Sequence, residues 1–84
     1  MKLLQVTQEL HVNLANATMV WLEDHAIGFY IPGDTTLDDR AIPLPGIWIE
    51  IHIESRGQND IVVWVQPDHP KFKAIYDWLT ANSF

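Results

Sequence analysis

The stretch Gly46-Ile47-Trp48-Ile49-Glu50-Ile51-His52-Ile53-Glu54-Ser55 carries isoleucine at each odd position from 47 to 53, the period-two pattern of a strand with one buried face. A chain holding such a run must supply a second layer to cover the isoleucines. The even positions carry Trp48, Glu50 and His52, and the next apolar run, Ile61-Val62-Val63-Trp64-Val65, adds Val62 and Trp64. The predicted hairpin therefore has one apolar face and one half-polar face that bears tryptophan.

Between the two runs lies Arg56-Gly57-Gln58-Asn59, in which Gly57 or Asn59 can take a positive φ. A register centred on Gly57 sets Glu50 opposite Trp64 and His52 opposite Val62, with Trp48 diagonal to Trp64. Upstream, Leu4, Val6, Leu10, Val12 and Leu14 share one parity and fit two short strands, while Leu3, Val6, Leu10, Leu14 and Ala17 also fit a helical stripe. The β-branched content through Thr18-Met19-Val20-Trp21-Leu22, with Asn16 as a left-handed turn residue, favours strands and a hairpin of 10–14 with 17–23.

Asp24-His25 then turns the chain into Ala26-Ile27-Gly28-Phe29-Tyr30-Ile31, which Pro32-Gly33-Asp34 ends. The 32–45 connection is long for a small domain, so Leu37, Ile42 and Leu44 are expected to pack it back while Pro43 and Pro45 keep it extended. It either leaves Trp48 and Trp64 open or covers them as a second small core. After Pro67, residues 68–81 read as a helix with Asp68 or His69 as cap, Pro70 in its first turn, and Phe72, Ile75, Tyr76 and Leu79 as its apolar stripe. Lys71 and Lys73 lie near its positive end and Asp77 towards its negative end, so this short helix depends on docking to the sheet.

The expected architecture is a single α+β domain over 1–84, with a β-rich body at 1–67 and a C-terminal helix at 68–81. The body is an antiparallel β-meander of about five strands, strongly twisted or partly closed as a barrel, with the helix packed on it. Eleven acidic against five basic residues give a formal charge of −6, which disfavours direct binding to nucleic-acid phosphates and to anionic membranes. Cysteine is absent, which removes disulfides and thiolate chemistry and is compatible with a reducing cytoplasm. Gln5 interrupts the N-terminal apolar residues too early for a signal peptide or membrane span, so a soluble, unprocessed cytoplasmic protein is expected.

No residue set calls for catalysis, a metal or a cofactor. His11, His25, His52 and His69 lack ligand spacing, Glu50 with His52 being the best local pair. Ser55 and Ser83 sit in no nucleophile elbow, Asp38-Asp39 beside Arg40 read as a solvated loop, and the glycines are isolated. Four tryptophans are too many for a core of this size. Trp21 and Trp78 read as half-exposed covers. Trp48 and Trp64, extended by Val62 and rimmed by Glu50, His52 and Glu54, read as an interaction patch.

The function expected from these residues is a small protein-interaction module, a subunit, adaptor or inhibitor. It binds a protein partner or a second copy of itself through Trp48, Glu50, His52, Val62 and Trp64. One alternative is an acidic inhibitor that imitates nucleic acid, as phage-type antagonists do, through Asp34, Asp38, Asp39, Glu50 and Glu54. Another is a small ligand-binding domain or enzyme using His52 or His25 between the sheet and the 32–45 loop.

Overall fold

Period-two alternation builds two antiparallel sheets, and the apolar stripe of Phe72, Ile75, Tyr76 and Leu79 one helix, in the computed structural model, which describes residues 2–23, 25–35, 40–53 and 59–84. The strands are β1 (Leu3–Gln5), β2 (His11–Asn13), β3 (Met19–Glu23), β4 (Ala26–Thr35), β5 (Ile47–Ile53) and β6 (Asn59–Val65), followed by α1 (Phe72–Ala81). β1 and β2 pair with each other, and the larger sheet has the order β3-β4-β6-β5. The α+β class with antiparallel sheets and one C-terminal helix is as the pattern predicts, and among the described residues no barrel closes. No helix among them is long and apolar enough to cross a membrane.

The N-terminal third is extended, with Leu4, Val6, Val12 and Leu14 buried on one parity. The pairing differs from the expected hairpin of 10–14 with 17–23. β2 instead turns back on β1, with Leu4 opposite Val12. The Thr7 hydroxyl accepts the N–H groups of Glu9 and Leu10 and so satisfies the tight 7–10 reversal. Asn13 caps a single 3₁₀ turn at Leu14–Asn16 by accepting the Ala15 N–H, and Asn16 has no positive φ. That turn carries the chain from one sheet to the other.

β4 runs on past Pro32 to Thr35, beyond the stop that Pro32-Gly33-Asp34 predicts. The Tyr30 carbonyl accepts the Thr18 N–H, so the backbone of Tyr30, and two residues on that of Pro32, points to the β3 side where β3 has no residue left to pair. Pro32 therefore removes no ladder bond. The β4–β6 register slips between Ile31 and Thr35, and the Asp60 carboxylate steadies the irregularity by accepting the Gly33 N–H and, at 2.6 Å, the Tyr30 hydroxyl.

One side of the large sheet presents Ile27, Phe29, Ile31, Ile47, Ile61, Val63 and Val65, all buried against the β1–β2 hairpin residues and Ile75 of α1. Each fully buried side chain of this kind contributes about 1.5–3 kcal/mol. Phe72, Tyr76, Trp78 and Leu79 pack along the edge of the same core, and the Lys2 ammonium lies 5.7 Å from the Trp78 ring centre. Leu44 joins this side too, its N–H donating to the Val6 carbonyl, so the described part of the 32–45 connection is held on the core side of the sheet. Leu37 and the 54–58 turn lie outside the described residues.

The helix starts at Phe72, four residues after the expected start at 68, because residues 67–71 form successive turns around His69. Its Nδ1 accepts the Lys71 N–H at 3.0 Å. Gly46, at φ 82°, passes so close that a Cβ there would lie 2.8 Å from the His69 Cα, which leaves glycine as the fitting residue. Burial holds His69 below its ordinary value of 6.5, with Asp68 opposing the shift and Lys71 adding to it. A protonated Nδ1 also could not accept the Lys71 N–H.

The unfolded chain thus takes up this proton at higher pH than the folded one, so the contribution of neutral His69 to stability is present above about pH 6.5 and is lost as the pH falls below it. Denaturation midpoints taken from about pH 7.5 down to about pH 5.5 should fall more steeply for the native chain than for His69→Gln. Parallel curves for the two proteins would contradict this role.

Candidate protein-binding face

Cross-strand partners lie on the same face of a sheet, so the pairings define rows across the side opposite the core. Trp21 pairs with Gly28, Gly28 with Trp64, and Trp64 with Trp48, which places three tryptophans and a glycine in one row over all four strands. The next row is Met19, Tyr30, Val62 and Glu50. Beyond it His52 stands opposite Asp60.

The β5–β6 register differs by two residues from one centred on Gly57. Trp48 is directly opposite Trp64, and Glu50 and His52 face Val62 and Asp60 instead of Trp64 and Val62. A two-residue shift leaves every side chain on its expected face and changes only its opposite number.

Gly28 shapes this face. The Trp64 indole lies across it, so close that a Cβ on Gly28 would come within 2.7 Å of the ring. The open lane over β4 lets Trp64 reach Trp21, and the two rings stack with centroids 5.9 Å apart and planes at 27°. At the other edge of the ring, Nε1 donates to Glu50 Oε1 at 2.9 Å. Trp64 is therefore held on both sides, whereas Trp48 beside it is 56% exposed.

The expected site residues thus share one face but not one role. Trp48, Glu50 and His52 are exposed, Trp64 is half-buried, and Val62 is 4% exposed between Tyr30 and Glu50. Val62 is floor rather than anchor. Sequence reasoning placed Trp21 as a cover and passed over Met19, Gly28 and Tyr30, yet the tight Asp24-His25 turn implies Glu23 opposite Ala26 and hence Trp21 opposite Gly28. Trp78 does sit half-buried on the helix, as expected of a cover.

Along the flank of the row nearest His25, an open depression of about 370 Å³ is lined by Glu23, His25, Ala26, Trp48, Glu50, Trp64 and Gln66. Each carboxylate has a histidine neighbour: His25 Nε2 lies 3.3 Å from Glu23, and His52 Nε2 lies 3.7 Å from Glu50. His25 and His52 are both exposed, at the β3–β4 turn and on the outer face respectively. Among the described residues no group of three or more His, Cys, Asp or Glu could hold a metal ion. Asp38, Asp39 and Glu54, and the Asp34 side chain, lie outside the described residues.

No protein-family model, curated protein or solved structure matches the chain.

The lane over Gly28 yields a direct test. Gly28→Ala should push the Trp64 ring off Trp21, reducing the near-ultraviolet circular dichroism of the stacked indoles and lowering stability by about 1 kcal/mol. An unchanged near-ultraviolet spectrum in a folded variant would show that the rings do not depend on this gap.

Proposed function

We propose that the chain is a small protein-interaction module whose tryptophan row receives a basic segment of a protein partner. The observation that carries this reading is Trp48, 56% exposed beside a Trp64 ring already held by Trp21 and Glu50. A large aromatic surface kept in one conformation loses little entropy on binding, and tryptophan is enriched among the residues that dominate interfaces. The lining of the neighbouring depression has the carboxylates Glu23 and Glu50 and no Lys or Arg.

An indole face beside carboxylates suits a guanidinium or ammonium group, which gains cation–π and ionic attraction together. The formal charge of −6 favours encounter with such a partner. A cytoplasmic location belongs to the same reading, with the absence of cysteine compatible with it.

Titration with arginine- and lysine-bearing peptides, set against neutral and acidic peptides of equal length, tests the proposal through tryptophan fluorescence. Basic peptides should bind best, Trp48→Ala should weaken them at least about tenfold, and Glu50→Gln should weaken them while reducing their salt dependence. Binding that is indifferent to peptide charge and to Trp48 would exclude this mode of recognition.

A further inference from the structure

Among the described residues β3 has a strand neighbour on one side only, and all five of its residues are exposed. Met19 (51%), Val20 (43%), Trp21 (37%) and Leu22 (37%) make a continuous apolar run. Alternation puts Met19 and Trp21 on the tryptophan face and Val20 and Leu22 on the core face, so the strand exposes apolar side chains on both faces and, among the described residues, has no strand beside its outer edge. A helix or loop laid on the sheet covers one face. Another strand placed alongside covers flanks on both faces and also takes up the outward backbone groups.

Exposed edge strands are normally protected by Lys, Pro, a bulge or a covering element. Met19-Val20-Trp21-Leu22-Glu23 contains neither Lys nor Pro, and its register with β4 is regular throughout.

We infer that β3 pairs antiparallel with β3 of a second copy of this chain, about a two-fold axis at Trp21. This pairing sets Trp21 opposite its own copy, Val20 opposite Leu22, and Met19 opposite Glu23, so that apolar side chains meet on each face. Glu23 is the strand's one charged residue. The two copies of Glu23 then lie at opposite ends of the ladder, roughly 14 Å apart and beyond the screening length at about 0.1 M salt. Parallel pairing in register would bring them side by side. The interface is isologous and closes at two copies, and it joins the two four-stranded sheets into one with a continuous tryptophan row. It does not depend on what that row binds.

The test measures mass in solution for the full chain, by light scattering during size exclusion at about 100 μM. The native chain should be a dimer. Val20→Lys, which leaves the tryptophan face untouched, should raise the dissociation constant at least tenfold while keeping the native circular dichroism.

Because the chain has no cysteine, a mixture of Val20→Cys and Leu22→Cys chains can be oxidised as a second measurement, informative even if the lysine variant fails to fold. The mixed pair should cross-link faster than either variant alone. A monomeric native chain, a dimer indifferent to Val20→Lys, or equal cross-linking in all three samples would overturn the inference.

Discussion

Burial of Ile27, Phe29, Ile31, Ile47, Ile61, Val63 and Val65 on one side of one sheet determines where the remaining side chains of β4, β5 and β6 must go. A strand cannot send one residue inward without sending the next outward. Once the core claims the odd positions, the even ones, Gly28, Tyr30, Trp48, Glu50, Val62 and Trp64, share the opposite face. The tryptophan row is therefore a consequence of core formation, and weakening the core would disperse it.

Trp64 makes that opposite face a rigid surface. Its ring would stand free on a sheet with a side chain at position 28; with glycine there it lies flat across β4, meets Trp21 and leaves its N–H on Glu50. Ring stacking of this kind is worth about 0.5–1.5 kcal/mol, which favours one orientation by roughly two- to tenfold. Glu50 in turn is held beside Trp48, which places a carboxylate next to an exposed indole. The same parity governs the edge of the sheet, where β3 carries the row outward beyond the shelter of helix and hairpin.

Much of this was legible in the residue pattern because alternation depends on neighbours one and two positions away. The isoleucines of 47–53, the buried parity of Leu4, Val6, Val12 and Leu14, and the apolar helical stripe are all local signals. What escaped depends on longer-range geometry. The turn centre, not the strand pattern, decides which residues face each other, so alternation assigns Trp48 and Glu50 to their face while a turn centred on Gly57 sets their partners two residues off.

The pairing of β2 was illegible for a similar reason: a short strand of suitable parity can pair with either neighbour, and the Thr7 turn and the 3₁₀ turn decide in favour of β1. Trp21 was missed as a member of the face because its place is evident only when two registers, β3 on β4 and β4 on β6, are followed in succession. The helix start moved to Phe72 because the turns around His69, packed on Gly46, occupy the residues that a cap and first-turn proline would otherwise begin.

Nuclear Overhauser contacts report whether one register aligns the tryptophans while the opposite residues build the core. Close Cα-proton contact between Ile49 and Val63 is expected, together with ring-to-ring contact between Trp21 and Trp64. Contact of Ile51 with Val63 in place of Ile49, or a Trp64 ring with no contact to Trp21, would contradict this arrangement.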